Sequence, residues 1–405
     1  MGRRDWQDPF RPAWDLRVNG QPLPEDVRAA IRRLSAELVI DGADMLEIEA
    51  DAWDSYRSRW VLLAETTLAP GNLVVLYTGY GHELHAVQRF RVVAHSARYP
   101  SGGTPTVTVR AYSAESRLVE ATQPRVFEGP VSDADIAREL AAAAGLAVTA
   151  DSVDDLEPLP AGRTKPKGTS DLQFLQELAA VNDFGPPICR YDETLQADVL
   201  YFRRTRIERS TLLDLVYNPH LAGSGDVAGD LISFEPDLNL ADAPTSVRVT
   251  GYDPESGQIV EVTIGIADAS REQVIYRGTP AEIVDYGEPL ALRVQVLAQG
   301  DERGATGAEE VAAVGEVLTV DGARAYARRW IESRRRAFMI ARAEVIGDPR
   351  IALGSVHTVD GVAPPHAGLW EVEAVTHEIS GSSYTCQLDL SRVLESAREP
   401  YEVGP

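Results

Sequence analysis

The chain has 405 residues, with 39 Lys or Arg against 62 Asp or Glu, so its formal net charge is −23 at pH 7. Its length is typical of two or three domains. Its 44% hydrophobic and 25% charged residues are typical of a globular protein and exclude wholesale disorder. The acidic surplus argues against nucleic acid or an anionic membrane as a direct partner, because binding phosphates needs clustered Lys and Arg.

The cysteines and the first residues indicate the compartment in which the chain is made. Two cysteines, Cys189 and Cys386, are too few for a disulfide framework, and we expect both to be buried. No apolar stretch follows Met1 as a signal peptide requires, and no run reaches the roughly 18 apolar residues of a membrane span. We therefore expect synthesis in a reducing cytoplasm, with no signal peptide and no membrane insertion.

The first part of the chain shows the alternation of β-strands. Residues 34–40 and 45–50 flank a turn that begins at Asp41-Gly42, which predicts a β-hairpin. Short, evenly spaced strands are typical of a small antiparallel barrel, which we place at residues 1–118. Further strands of this barrel are predicted at residues 73–77, 84–97 and 106–113.

A partly helical domain is predicted at residues 119–225. Ser132 is placed to cap a helix that ends at Gly145, and Thr169-Ser170-Asp171 caps a second helix. A hairpin is predicted after it, at residues 188–191 and 198–203.

The rest of the chain returns to β-strands and predicts a second barrel from residues 226–265 and 320–396. A helix that begins at Asp321 precedes its last four strands. Residues 266–319 are an insertion or linker, and residues 397–405 are a C-terminal tail. Strands are predicted in this part at residues 231–234, 246–251, 258–264, 337–345, 355–359, 369–379 and 384–393.

The final β region repeats the pattern of the first. Each copy has a turn glycine, a strand with an aromatic residue at its start, and a histidine near its end. For these histidines, His95 and His377, we expect a shared structural role. The fold class is therefore α+β, mainly β, with two related antiparallel barrels and a partly helical domain between them. The matched segments are 68–73 with 351–356, 90–95 with 370–377, and 106–110 with 384–388.

No residue pattern identifies a catalytic, cofactor-binding or metal site. His82 and His85 stand three apart at the start of a strand, where their side chains face opposite sides. Paired carboxylates are unavoidable among 62 acidic residues, and no phosphate-binding, dinucleotide-binding or nucleophile-elbow motif occurs. The one basic cluster, at residues 328–336, is either a solvated helix or a docking face for acidic neighbours. We expect no enzyme activity, no cofactor and no metal.

Four stretches resemble the tail hub proteins of contractile phages and related injection machines. This group comprises the phage late-control-D family, the hub portion of type VI secretion VgrG spikes, and the hubs of extracellular contractile injection systems. The resemblance follows the chain in order and covers nearly all of it. Its stretches are residues 132–146, residues 169–179, residues 246–254, and the closing pattern of Gly354, Trp370, Glu371, Val372, Val375, Thr376, His377, Tyr384 and Thr385.

The resemblance implies a non-enzymatic homotrimer at the tip of a tail or injection tube. The two similar tube-docking barrels of each subunit would form a pseudo-sixfold ring that joins the hexameric tube protein to a trimeric spike and organises baseplate assembly. Because the chain ends at Pro405 without a spike extension, we expect the spike to be a separate protein. Residues 267–299 have no clear counterpart, and they are candidates for contacts with baseplate wedge or sheath-initiator proteins.

The sequence leaves three questions open. A cell-wall-degrading enzyme or a carbohydrate-binding β protein carried by such a particle is the alternative function. A phage tail, a tailocin and a contractile injection system all use such a hub, so the particle is not determined. The trimer interface is also unassigned, but like-charged copies need favourable contacts to associate. We therefore expect interfaces to concentrate the minority arginines, with residues 328–336 as the candidate.

Overall fold

The computed structural model describes residues 11–62, 67–159, 162–182, 184–204, 213–217, 230–238, 244–253, 258–265, 272–277, 293–298, 309–310, 339–364, 366–381 and 383–393. Its helices are α1 (Glu25–Ala30), α2 (Ser116–Glu120), α3 (Asp133–Ala143) and α4 (Asp171–Val181). Its first twelve strands are β1 (Pro12–Val18), β2 (Gln21–Pro22), β3 (Ile31–Val39), β4 (Met45–Asp51), β5 (Trp53–Asp54), β6 (Arg59–Trp60), β7 (Leu73–Tyr80), β8 (Glu83–Arg98), β9 (Thr106–Ser113), β10 (Arg125–Phe127), β11 (Arg163–Lys165) and β12 (Ile188–Asp192). The others are β13 (Ala197–Tyr201), β14 (Asp214–Val216), β15 (Leu231–Leu238), β16 (Pro244–Asp253), β17 (Gln258–Gly265), β18 (Glu272–Arg277), β19 (Arg293–Ala298), β20 (Glu309–Glu310), β21 (Met339–Ile346), β22 (Val356–Asp360), β23 (Gly368–Ser380) and β24 (Ser383–Arg392).

The described residues form two compact units. One contains residues within Met1–Glu177, Gly185–Glu235 and Ala341–Pro405, and the other contains residues within Leu178–Phe184 and Pro236–Ile340. Each unit has its own sheet.

The large sheet of the first unit joins strands from both ends of the chain. Its order is β15-β21-β24-β23-β3-β4-β9-β8-β7-β1-β2, and β22 pairs with β23 and with β14. The paired strands run antiparallel wherever their register is defined, except that β14 and β22 are parallel. The predicted mainly β, antiparallel fold class is confirmed.

The predicted hairpin at the start of the chain is also confirmed. Strands β3 and β4 pair antiparallel, with Leu34 opposite Ile48 and Ala36 opposite Leu46. All four side chains are buried, because alternate residues of a strand face the same side of the sheet.

Both predicted helices of the intervening region begin at the expected caps. The Ser132 hydroxyl accepts a hydrogen bond from the Asp135 amide at 3.0 Å, and the Asp135 carboxylate accepts one from the Ser132 amide. The Ser170 hydroxyl and the Gln173 side chain cap α4 in the same reciprocal way, both at 3.0 Å. Gly145, at φ +67°, follows α3 in the left-handed conformation that favours glycine after a helix.

The second unit contains a five-stranded sheet with the order β18-β17-β16-β19-β20. Its strands β16 and β17 fall in the segment that the sequence assigns to the second barrel, but here they pair with each other and with β18 and β19. Alternation predicts a buried face and not a partner strand, so it does not distinguish the two sheets. Strands β18 and β19 lie within residues 267–299, which had no predicted structure.

The core of the large sheet is continuous across both copies of the repeat. Phe90 in the first copy and Trp370 in the second are both buried. The Trp370 ring meets Phe234 edge-on, with centroids 5.4 Å apart, and its indole N–H donates to the His366 carbonyl at 3.0 Å. The two copies are therefore packed as one body within this unit.

Candidate assembly interface

The internal repeat is visible in equivalent backbone hydrogen bonds. The amide of Gly71 donates to the Val92 carbonyl, and the amide of Gly354 donates to the Val372 carbonyl, both at 2.8 Å. Both glycines have positive φ, +97° and +66°, as expected for a tight turn before a strand. A β-bulge follows each valine, in β8 and in β23. The first two predicted segment matches are therefore confirmed.

The third predicted match is wrong by one residue. Counting from the bulges, Val107 of β9 corresponds to Cys386 of β24, and Val109 corresponds to Leu388. All four of these side chains are buried. Because strand side chains alternate, the predicted alignment matches inward residues of one copy with outward residues of the other. The register of the paired strands shifts the alignment by one residue.

The two histidines are not equivalent in this register. His95 corresponds to Val375, two residues before His377. The ring of His95 hydrogen-bonds the Leu68 carbonyl through Nε2, whereas His377 is completely buried at a different position of its strand. The backbone of Ile351, the counterpart of Leu68, interacts with the His377 ring and raises its pKa against the effect of burial. Both rings therefore reach equivalent backbone positions from strand positions two residues apart, which agrees with the expected shared structural role.

The two copies of the repeat meet along β3 and β23, which we call the β3–β23 junction. Its register runs from Val39 opposite Ala374 to Arg33 opposite Ser380. On its half-exposed face, Arg33 Nε donates to Glu378 Oε1 at 3.0 Å, and this hydrogen bond raises the pKa of Arg33. The junction thus combines a ladder of backbone hydrogen bonds with a cross-strand ion pair.

A buried hydrogen-bond chain lies on the inner face of the junction. The Tyr384 hydroxyl is 2.9 Å from both Thr78 Oγ1 and His377 Nδ1. Burial lowers the pKa of His377 to about 4 and raises that of Tyr384, so both groups are neutral at pH 7. The Tyr80 hydroxyl donates to the Gly347 carbonyl at 2.9 Å, and a side chain at Gly347 would overlap the Tyr384 ring. These contacts connect β7 of the first copy of the repeat to β23 and β24 of the second.

A groove crosses the outer face of the second copy beside this junction. It has a volume of about 320 Å³ and includes Glu37, Glu235 and Asp389 in its lining, with Arg342 as its one described basic side chain. Because acidic side chains predominate, the groove fits a basic partner surface better than an acidic one.

A second cavity, of about 220 Å³, has Arg190, Arg203 and Arg350 in its lining, and each of these side chains already has a partner. Arg350 makes two hydrogen bonds to Asp348, at 3.0 and 2.8 Å, and Arg190 donates to the Leu353 carbonyl at 2.5 Å. The guanidinium groups of Arg190 and Arg203 both contact the Tyr201 ring, at 5.7 and 4.9 Å from its centroid. These arginines therefore fasten neighbouring loops to each other. This cluster was not predicted, because it brings Arg190 beside Leu353, 163 positions further along the chain.

A third group, of buried acidic side chains, was also not predicted. Asp44 accepts from Gln88 Nε2 at 2.7 Å, and Gln88 also donates to the Cys189 carbonyl at 2.8 Å. Burial raises the pKa of Asp44 to about 7, and burial together with Asp44 raises that of Glu115 well above its ordinary value. Both carboxyls are buried, and the hydrogen bonds of Asp44 connect β8 to the residues around the β3–β4 turn.

The structure locates the other residues that the sequence singled out. Cys189 and Cys386 are buried, as predicted. His82 and His85 are exposed at the start of β8. Within the described residues, no group of three or more His, Cys, Asp or Glu side chains is arranged to hold a metal ion. The helix predicted from Asp321 and the basic cluster at 328–336 lie outside the described residues.

Three solved structures resemble the chain over nearly its whole length. A tail protein from Neisseria meningitidis MC58 is 12% identical with a TM-score of 0.60, over 95% of this chain and 97% of that chain. The 43 kDa tail protein of prophage MuSo2 from Shewanella oneidensis is 14% identical with a TM-score of 0.56, over 94% and 98%. An Escherichia coli component of the type VI secretion system, similar to phage T4 tail proteins gp27 and gp5, is 10% identical with a TM-score of 0.54, over 96% and 80%.

The chain shares the fold of these phage tail and secretion-system proteins. No protein-family model and no curated protein sequence matches it. The predicted resemblance to tail hub proteins is thus confirmed in the fold. Among the described residues, no helix is both long and apolar enough to cross a membrane.

Proposed function

We propose that the chain is a structural hub of a contractile tail or injection-particle baseplate. In this proposal three copies form a ring, and the ring joins a hexameric tube protein on one side to a trimeric spike on the other. It has no enzymatic activity, and its further partners are baseplate wedge or sheath-initiator proteins. The chain acts by forming interfaces.

The observation that carries the proposal is the repeat within one sheet. Two strand sets with the same turn, the same bulge and the same buried positions are joined side by side through the β3–β23 junction. A trimer meets a hexamer over its full circumference only if each subunit offers two similar surfaces. The fold shared with a type VI secretion component and phage tail proteins supports the same role.

Native mass spectrometry of the purified chain, alone and with the tube protein encoded beside it, tests this function. We expect a trimer that binds the tube protein. The control is a tube protein from an unrelated particle, which should not bind. A chain that stays monomeric, ignores its tube protein and cleaves peptidoglycan would instead establish the cell-wall enzyme.

A further inference from the structure

Two edges of the large sheet have no strand beside them in the described parts of the chain. The first is the far half of β8, residues 94–98, which pairs with β9 on one side but extends beyond the end of β7 on the other. The second is the outer edge of β15, which pairs only with β21. Unpaired edges present free N–H and C=O groups that favour the addition of another strand.

The internal repeat shows how the equivalents of these two edges pair. Residues 94–98 of β8 correspond to residues 374–378 of β23, and in that copy β3 pairs with them. Strand β15 has the place of β3 in the second copy: β3 lies beside β4, and β15 lies beside β21, which neighbours β24 as β4 neighbours β9. The equivalents of the two unpaired edges therefore pair with each other within the chain.

Burial differs between the two copies of the repeat, as expected if one of them lacks a neighbouring strand. In β23, the side chains of Val375 and His377 are fully buried beside β3. Their equivalents in β8 are His95, which is half-buried, and Ala97, which is exposed. The same strand position is thus covered in one copy and open in the other.

We propose that β15 of one copy of the chain pairs antiparallel with residues 94–98 of β8 in a second copy. This contact repeats between copies the β3–β23 junction that each chain makes internally. The strand that pairs with β8 must come from a second chain, because six strands separate β15 from β8 in the sheet of one chain. The pairing deepens the proposed hub function and rests on it for one point, which is that three such contacts close the ring.

Cysteine crosslinking tests the pairing directly. Glu235 and Ser233 line the same face of β15 beside the groove, and Ser96 is the equivalent of Thr376, which lines that groove too. We expect Glu235→Cys or Ser233→Cys, combined with Ser96→Cys, to give covalent dimers and trimers with a short bismaleimide. Each single-cysteine variant and the pair Glu235→Cys with Tyr56→Cys are controls that should stay at the wild-type background.

A second variant tests the interface without a crosslinker. Ala97 is exposed in the single chain and becomes buried in the proposed contact, so Ala97→Asp should weaken association about tenfold or more while the melting temperature of the monomer is kept. Val126→Asp, at a side chain that is 72% exposed on β10, is the control and should leave association unchanged.

The outcomes separate this inference from the hub proposal. A trimer in native mass spectrometry with no crosslinked species from either double variant, or with Ala97→Asp associating normally, overturns the strand pairing and leaves the hub function standing. A chain that stays monomeric at its highest soluble concentration and does not crosslink overturns both.

Discussion

At the scale of single residues, two buried carboxyls make the stability of the protein depend on pH. Asp44 and Glu115 are both buried in the first unit, and the charge of Asp44 raises the pKa of Glu115 beyond the effect of burial. Asp44 has hydrogen-bond donors from Gln88 and the Val39 amide. Glu115 Oε2 is buried without a hydrogen-bond partner. Replacing the Glu115 carboxyl should therefore destabilise the fold less than replacing the Asp44 carboxyl, because fewer hydrogen bonds are lost.

We predict that Glu115→Gln stabilises the protein at alkaline pH. The folded pKa of Glu115 is raised above its unfolded value of about 4.3, so its contribution is complete below that pH and is lost as pH rises through the folded pKa. Denaturant unfolding from pH 5 to 8 should show the free energy of unfolding of the wild type falling more steeply than that of the variant, by at most about 1.4 kcal/mol per pH unit. Exposed Glu120→Gln is the control. Parallel profiles for Glu115→Gln and the wild type would contradict the prediction.

At the scale of elements, local chemistry explains which parts of the fold were predictable. The caps of α3 and α4 and the β3–β4 hairpin depend on residues within about twenty positions of each other, and they were predicted from the sequence. The short elements α1, α2 and β10 contain too few residues for a recognisable period and were not predicted.

The candidate interface was less predictable than the elements that form it. The repeat and its turn glycines were read from sequence, but the junction joins Arg33 to Glu378, 345 positions apart. Alternation of apolar and polar residues predicts which face of a strand is buried, but it does not predict which strand lies beside it. The pairing of β3 with β23 and the separate sheet of β16 and β17 could therefore not be predicted.

A buried ion pair fastens β11 to the beginning of α4. The Lys165 ammonium contacts the Asp171 carboxylate and donates to the Ala121 carbonyl at 2.9 Å, and the side chains of Lys165 and Asp171 are only 1% and 3% exposed. Such a pair costs desolvation when it forms, but breaking it leaves one charge buried without its partner.

We predict that Lys165→Met lowers the free energy of unfolding by about 3–5 kcal/mol, because Asp171 is left uncompensated. The double variant Lys165→Met with Asp171→Asn should lose less than the single variant. Arg138→Met, which breaks an ion pair to a 94% exposed Asp155, is the control and should cost about 1 kcal/mol or less. Equal losses for the single and double variants in denaturant unfolding would show that the ion pair is not the cause.

At the scale of the whole molecule, charge opposes association. Each copy carries −23 formal charges, and the groove beside the junction is itself lined mainly by acidic side chains. The described junction supplies an ion pair only within the chain, between Arg33 and Glu378. Repulsion between copies is therefore long-range and depends on salt.

We predict that association of the chain strengthens when ionic strength rises from about 0.01 to about 0.1 M, as the screening length shrinks from about 30 to about 10 Å. Sedimentation equilibrium over a salt series measures this, and a neutral osmolyte in place of salt is the control. Weaker association at higher salt would be the opposite result. It would favour an interface of paired opposite charges, with the arginines at residues 328–336 as the first to substitute.

If the chain forms the proposed ring, the β3–β23 junction also affects how fast that ring assembles. A ring of six similar strand sets needs six junctions, and a chain that makes one internally leaves only the other half to encounters between molecules. An internal junction forms at an effective concentration that dilution does not change. Because each chain carries both strand sets, the proposed ring forms from three molecules and not from six. The covalent link also ensures that the two kinds of strand set alternate around the ring.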